Sequence, residues 1–376
     1  MSSSKVAMNH IRIAIVLPSL CGGGAERLHL NLAREWHAKG FQVEFVLMRR
    51  SGELLEILPT DIGVVDLGVD RIRQVVLPLT RYLRQTRPDI IIVAMWPLTS
   101  IAVLSWWLAG KSGRLYLSDH NQLSISCTQE LKTPIWLLGQ IMSATYPAAN
   151  GIIAVSQGVK EDMCQLAGLS TKLVRVIYNP TATGVSPRRE PDVIKQQLWG
   201  SGFAYHILSV GTLKDQKDHA TLIRAFALLP TSLHAKLTIL GEGGLRSELE
   251  ALVVQLGLQD RVAMPGFAVD PVSWFRSADL FVLSSRWEGF GNVIVEALEC
   301  GVPVVSTDCP SGPAEILEYG RYGKLVPSQD PSALSAAMMQ SLLERHDRAA
   351  LIGRAKDFSV PKISDEYLAY IFPEGF

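Results

Sequence analysis

The sequence predicts an α/β protein built from two doubly wound, Rossmann-like domains. Three observations lead there. Short β-branched runs alternate with helical-period segments along the whole chain, the pattern of parallel sheets whose crossovers are helices. Near the middle, "TATGVSPRREPDVIKQQLWGSG" interrupts the alternation with Pro, Gly, Ser and charge, as a linker does. Finally, 376 residues with 48% apolar content supply enough material for two buried cores.

Taken in order, "IRIAIVLP" reads as a first strand, because its apolar run is too short for a secretory signal and a charged residue precedes it. "GGG" leads into the helix "AERLHLNLAREWHAKG", stopped by Gly40, and then into the strand "FQVEFVLM". "DIIIVAMW", "RLYLS", "GIIAVS" and "LVRVIYNP" continue the cycle to about Pro180. The stretch from Ile90 to Gly110 reaches the roughly 20 residues a membrane span needs. Pro97, Thr99 and Ser100 break it, so it reads as a buried strand followed by a helix. Beyond the linker the strands are "HILSV", "AKLTIL", "DLFVLSS" and "VPVVST", with helices starting near Asp218, Gly244, Asn292 and Gly312. The final "IGRAKDFSVPKISDEYLAYIF" reads as a closing helix that packs back toward the first half. The expected organisation is therefore an N-terminal domain over 1–185, a C-terminal domain over 186–355 and a crossover segment over 356–376.

The totals exclude several classes. With 36 basic and 36 acidic residues the chain is neutral and lacks the basic excess of a nucleic-acid binder. Five scattered cysteines with no C-x-x-C pair speak against a disulfide scaffold and a zinc site, and fit a reducing, cytoplasmic setting.

Ligands of open parallel sheets bind outside the carboxyl ends of the strands. Two such sheets facing each other would enclose a cleft lined by the loops Ser19–Gly24, Ser118–Gln122, Gly211–Lys217, Gly241–Gly244 and Arg286–Gly291. In "CGGGAER", Gly23 and Gly24 precede a helix whose free N–H groups suit a phosphate, although a tight turn explains them equally. "ILGEGGLRSELE" has Arg246 where a dinucleotide fingerprint needs a small residue, so a turn is the better reading than a nicotinamide site. Lys214 and Lys217 stand at a helix mouth, where the dipole repels cations; a bound anion or plain solvation accounts for them. His120 follows a strand directly, as a structural or a chemical histidine.

The most specific stretch is "SSRWEGFGNVIVEALECGVPVVSTD", Ser284 to Asp308. Glu288 and Glu296 bracket a glycine loop within an otherwise apolar run. A helix apolar on most of its surface is buried, so Glu296 is expected to meet a polar partner such as a ligand hydroxyl. Backbone N–H groups around Phe290 to Val293 are placed to hold an oxyanion at the helix start.

"EGFGNVIVE" followed by "ALECGVPVV" resembles the E-x7-E signature of glycosyltransferase family 4, retaining enzymes of GT-B fold that use nucleotide-diphosphate sugars. "PSLCGGGAER", "SDHN", "IYNP", "SVGTLKDQKDHATLIRAF", "LGEGGLRSELE", "SADLFVLSS" and "SGPAEIL" resemble further family blocks in family order, from about residue 12 to 345. The resemblance implies that Glu288 contacts the donor sugar, Glu296 the ribose, and Lys217 the phosphates. It implies backbone donors at Phe290, Gly291 and Asn292, a phosphate loop at Gly23 and Gly24, and His120 at the donor sugar. It also places the base near "PGFAVD", around Phe267. One position departs from the family pattern: Thr212 stands where an arginine is usual, and loss of such a donor typically costs about 3–4 kcal/mol in the transition state. Lys214 or Arg27 are candidates to compensate.

The same resemblance implies metal-independent transfer of a sugar from a UDP- or GDP-sugar, with no cofactor, to a saccharide or polyprenyl-linked acceptor in bacterial surface polysaccharide or glycolipid assembly. The alternatives are a catalytically weak nucleotide-sugar-binding subunit, and a GT-B-type epimerase or phosphorylase. Trp106 and Trp107 beside basic residues suit either a headgroup interface at the inner face of the membrane or the core.

Overall fold

Strands covered by helices on both faces must be apolar on both, and these strands obey that rule. In the computed structural model, which describes residues 10–129, 133–268 and 270–375, Ile13–Leu17 and Ile90–Ala94 are buried residue after residue. The chain divides into two compact units, Met1–Thr181 with Val360–Phe376, and Ala182–Ser359. The sequence placed the divisions at 185/186 and 355/356. Residues just after Thr181 belong with the second unit because the Glu299 carboxylate accepts from the backbone N–H groups of Gly184 (2.7 Å) and Val185 (3.0 Å).

Among the described residues the first unit holds a seven-stranded parallel sheet, ordered β3-β2-β1-β4-β5-β6-β7. Its strands are β1 (Arg12–Leu17), β2 (Gln42–Leu47), β3 (Gly63–Asp66), β4 (Ile90–Ala94), β5 (Arg114–Asp119), β6 (Gly151–Ala154) and β7 (Val174–Val176). Between them run α1 (Gly24–Ala38), α2 (Val76–Thr86), α3 (Leu98–Leu108), α4 (Leu123–Gln129), α5 (Ile135–Thr145) and α6 (Gln157–Ala167). The order reverses between β1 and β4, the position at which α/β sheets open a ligand crevice. The Ile90–Gly110 stretch is a strand and a helix, β4 and α3, and no helix among the described residues is long and apolar enough to cross a membrane. Trp106 is buried and donates to the Ser112 carbonyl (3.1 Å), whereas Trp107 stands nearly half exposed. The opening residues 1–9 lie outside the described part.

The second unit holds a six-stranded parallel sheet among the described residues, ordered β10-β9-β8-β11-β12-β13. After α7 (Asp192–Trp199) come β8 (Tyr205–Val210), α8 (His219–Ala227), β9 (Ala235–Leu240), α9 (Arg246–Gln255), β10 (Val262–Gly266), α10 (Val272–Ser277) and β11 (Leu280–Leu283). The run continues with α11 (Asn292–Glu299), β12 (Val304–Thr307), α12 (Pro313–Ile316), β13 (Lys324–Val326), α13 (Pro331–Leu343) and α14 (Arg348–Ala355). Ile207, Leu237, Ile239, Val282 and Val305 from neighbouring strands form its core with Phe226 and Leu222 of α8.

The closing segment is not one helix. After α14 a 3-10 turn, Lys356–Phe358, leads to Ser359 in extended conformation, and α15 (Val360–Ile371) begins anew. Pro361 explains the break: it cannot sit inside a helix, yet its missing N–H costs nothing in a first turn. Ile363, Tyr367, Leu368 and Ile371 of α15 enter the core of the first unit, with Tyr367 edge-on to Trp36 of α1.

Candidate functional site

In the second unit the loops after β8, β9, β11 and β12 meet at one end of the sheet. Their glycines allow it. A Cβ on Gly241 would stand 2.0 Å from the Gly211 carbonyl oxygen, and one on Gly243 would stand 2.4 Å from that of Leu213. Lys217 closes the first loop, and the next residue, Asp218, adopts a left-handed conformation to cap α8, accepting from the Thr221 hydroxyl at 2.9 Å. Arg286, from the loop after β11, forms an ion pair with that cap at 3.2 Å.

The Lys217 ammonium therefore points across to β11's loop, where its Nζ donates to Glu288 Oε1 at 2.6 Å. Ser285 donates to the same oxygen, also at 2.6 Å. Glu288 is buried and Lys217 half-buried, so each supplies the counter-charge that the other's desolvation demands. The anion sought for the lysine at this helix mouth is, in this structure, Glu288. Its backbone is held as firmly: Glu288 N donates to the Pro310 carbonyl (2.7 Å) and its own carbonyl accepts from Ser311 N (3.2 Å).

Gly291 follows, in left-handed conformation at φ +100°, as the N-terminal cap of α11. Phe290 is buried with its ring edge-on to Phe358 at 5.4 Å. Asn292 opens the helix and is half-buried. The structure thus brings Lys217, Glu288, Phe290, Gly291 and Asn292 together at one helix start.

Other residues stand differently. Glu296 is only half-buried, and the deeply buried carboxylate of α11 is Glu299, three residues on. Glu299 turns its charge toward the linker amides described above, and burial raises its pKa while those N–H groups lower it. Thr212 is exposed, its carbonyl accepting from Lys214 N at 2.9 Å. Phe267 is exposed just past β10; Val269 of "PGFAVD" lies outside the described residues.

The first unit assembles a second cluster where its sheet order reverses. Gly23 caps α1 and Gly24 begins it after β1, while His120 follows the last residue of β5. A residue absent from the sequence-based candidates joins them: the His29 ring of α1 stands edge-on to that of His120, centroids 5.3 Å apart. His29 Nδ1 donates to the Ala25 carbonyl at 2.7 Å, while its buried Nε2 has no hydrogen-bond partner among the described residues. His120 Nε2 pairs with the Ser118 hydroxyl at 3.0 Å, and its buried Nδ1 has no partner among the described residues. Burial pushes His29 down to about 4; burial, then the neighbouring His29, holds His120 well below the usual imidazole range. Both rings are accordingly neutral at neutral pH.

Asp119 beneath them was also missed. It is fully buried, accepts from the Tyr146 hydroxyl (2.5 Å) and Trp96 N (3.0 Å), and burial pushes it up to about 6 against those hydrogen bonds. The signal was available in part, because His29 falls beside the Leu28, Leu32, Ala33, Trp36 stripe on the inner face of α1. A cavity of about 610 Å³ in the same unit lies beside the first residue of β5, lined by Arg114, Asn150, Arg175 and Tyr370. That is the opposite end of the strand from His120, so the cavity is no part of this cluster. Among the described residues no group of three or more His, Cys, Asp or Glu side chains is placed to hold a metal ion.

Residues 22–184 match the family described as "Glycosyltransferase Family 4", and residues 200–358 the one described as "Glycosyl transferases group 1". An N-acetylgalactosamine-N,N'-diacetylbacillosaminyl-diphospho-undecaprenol 4-alpha-N-acetylgalactosaminyltransferase of Campylobacter jejuni is 34% identical over 61% of this chain and 62% of its own length. The lipopolysaccharide core biosynthesis glycosyltransferase LpsE of Rhizobium meliloti is 27% identical over 92% of this chain and 95% of its own. Anabaena Alr3699/HepE, solved in complex with UDP, superposes with a TM-score of 0.81 at 23% identity, over 96% of this chain and 100% of that one. WaaG, a glycosyltransferase involved in lipopolysaccharide biosynthesis, does so with 0.74 at 18%, over 96% and 99%. At those identities the structural likeness speaks for the fold.

Proposed function

From the premise that this chain belongs to glycosyltransferase family 4 and has its GT-B fold, we propose that it moves a sugar, with retention and without a metal, from a UDP- or GDP-sugar to an acceptor hydroxyl. The acceptor in this reading is a saccharide carried on a polyprenyl or other lipid, assembled into surface polysaccharide or glycolipid at the inner face of the cytoplasmic membrane. The observation that carries it is the Lys217–Glu288 pair beside the Gly291-capped start of α11. Support for the substrates comes from the relatives: the Campylobacter enzyme is named for a diphospho-undecaprenol acceptor, and HepE was solved with UDP and with UDP-glucose.

In this mechanism the bond from the anomeric carbon to the β-phosphate oxygen breaks with its electron pair going to the phosphate. The acceptor oxygen forms the new bond on the same face, and its proton leaves with the diphosphate. Charge therefore gathers on phosphate oxygen, and in this reading the Lys217 ammonium and the first N–H groups of α11 receive it. As the donor's diphosphate takes Lys217, the Glu288 carboxylate is released toward the sugar hydroxyls. Glu296 serves the ribose, the backbone at Phe267 the base, and the Gly23–Gly24 loop a phosphate. The neutral His120 imidazole hydrogen-bonds the sugar.

The test is release of nucleoside diphosphate from a panel of UDP-, GDP- and ADP-sugars, with and without chelator, against Glu288→Gln. Chelator-resistant hydrolysis of one donor, lost in the variant, supports the reading. Donor binding with no turnover even when a lipid-linked acceptor is supplied favours a binding subunit disabled at Thr212. Failure of every donor to bind overturns the assignment of the site.

A further inference from the structure

The cavity at the start of β5 belongs wholly to the first unit, between the β5, β6 and β7 side of its sheet and the returning helix α15. Strand register brings its walls together. Tyr116 of β5 pairs with Gly151 of β6, and Ile153 of β6 with Arg175 of β7, so Arg114, Tyr116 and Arg175 leave the same face of the sheet as Gly151. Gly151 lets α15 approach that face, because a Cβ there would stand 2.5 Å from the Tyr370 hydroxyl and 2.9 Å from the Tyr116 ring. Tyr370 lies edge-on to Tyr116, centroids 5.7 Å apart, and the two rings form an aromatic wall.

The cavity offers more polar binding capacity than the fold consumes. The Ile371 carbonyl at the end of α15 accepts from Arg114 at 2.7 Å and from the Tyr116 hydroxyl at 3.2 Å, which uses one of the five donors of that guanidinium. Arg175, on the edge strand, forms neither a hydrogen bond nor an ion pair among the described residues. Burial raises the pKa of the Tyr370 phenol, while the Ile152 N–H and the Arg175 charge beside it lower it. Asn150 is anchored through its side-chain oxygen, which accepts from Leu115 N at 2.8 Å, and its amide N–H groups remain for a ligand. Glu366 of α15 lines the cavity without an ion pair to either arginine among the described residues.

We propose that this cavity binds an aromatic carboxylate that carries a hydroxyl group. Its volume of about 610 Å³ lies within the roughly 300–1,000 Å³ of small-molecule sites. A planar carboxylate matches the guanidinium fork, and its single charge completes the balance of Arg114 and Arg175 against Glu366. A phosphate monoester, doubly charged, would exceed that balance. Glu366 accepts from the ligand hydroxyl, and the ligand ring packs on Tyr116 and Tyr370. Because the cavity stands at the opposite end of β5 from His120, this is a second binding function, and occupancy fastens α15 to β5, β6 and β7.

The full chain is titrated by calorimetry with benzoate, para-hydroxybenzoate and para-hydroxyphenyllactate, with the corresponding amides as uncharged matches and phenyl phosphate as the dianion. Thermal unfolding is followed in parallel. The expected result is saturable one-to-one binding of a hydroxylated acid and a raised melting temperature, with affinity roughly tenfold lower for its amide and for Arg175→Gln. Arg175→Gln should melt like wild type without ligand, since no partner is lost. Glu366→Gln should weaken the hydroxylated acids and leave benzoate unaffected. Failure of every carboxylate to saturate in the millimolar range overturns the proposal, as does equal binding by wild type and Arg175→Gln. Preference for phenyl phosphate overturns it in favour of a phosphate monoester. The titration uses neither sugar donor nor acceptor, so its failure leaves the transferase reading standing, and inactivity of the enzyme leaves the cavity assignment standing.

Discussion

Lys217 and Glu288, 71 residues apart in sequence, meet at 2.6 Å through a single carboxylate oxygen that Ser285 also occupies. The pair is largely removed from water, so its two halves are worth most together. Lys217→Met leaves a buried carboxylate short of its counter-ion and is expected to cost on the order of 3 kcal/mol in urea unfolding. Adding Glu288→Gln to it should restore part of that loss, and a double-mutant cycle measures how much. Strict additivity of the two changes would mean that the contact carries no coupling.

Donor turnover should respond to the same residue in another way. Lys217→Ala is expected to lower turnover of the productive donor by about a hundredfold or more, as removal of one preorganised donor to a developing charge does. Nucleoside diphosphate release at saturating donor reads it. A change confined to the Michaelis constant would point to ground-state binding instead.

The buried His29 makes a pH prediction. Its ordinary value is 6.5, and burial brings it to about 4 in the folded chain. Above the ordinary value both states are neutral and nothing is lost. Below it the unfolded chain gains a proton that the folded chain does not, so stability falls as pH drops from the ordinary value toward 4. By the lower end the loss is on the order of 3 kcal/mol. His29→Phe should flatten the fall in unfolding free energy over that window, and an unchanged slope would count against a buried neutral ring.

Two glycines of the site separate strain from collision. Gly291→Ala puts its Cβ in ordinary van der Waals contact, 3.4 Å from Ile294, but at φ +100° it should cost about 1–2 kcal/mol. Gly312→Ala adds to a similar dihedral, φ +97°, a Cβ 2.1 Å from the Phe290 carbonyl oxygen and should cost considerably more. Comparing the two melting temperatures, and the binding of UDP by whichever variants remain folded, checks the ordering.

Glu299 anchors the start of the second unit. Glu299→Ala deprives the Gly184 and Val185 amides of their acceptor and should expose 182–190 to limited proteolysis, with a loss of about 1–3 kcal/mol. Equal protease resistance in variant and wild type would assign those amides another partner.

The central strands were legible because burial on two faces writes itself as an unbroken apolar run, as in Ile90–Ala94. The strands that escaped notice, Gly63–Asp66, Val262–Gly266 and Lys324–Val326, lie at sheet edges, are short, and mix in Asp66, Pro265 and Lys324. In the site, Lys217, Glu288 and Gly291 were visible from type and spacing. Glu296 and Glu299 were not separable, since helical phase alone does not tell which of two nearby carboxylates turns inward and which amides await it. His29 and Asp119 stayed hidden for a related reason: their partners, the Ala25 carbonyl and the Tyr146 hydroxyl, come from backbone and from a distant helix end. Trp106 and Trp107 read alike in a string and differ only by the 100° of turn between them.

The return of α15 to the first unit has a consequence for synthesis on the ribosome. Residues 10–129 and 133–181 emerge early, yet the core they build lacks Ile363, Tyr367, Leu368 and Ile371 until some 180 further residues have followed. The second unit is contiguous in sequence and can close first. The nascent first unit must therefore wait with part of its interior uncovered, and it is at this stage that a chaperone would find its substrate.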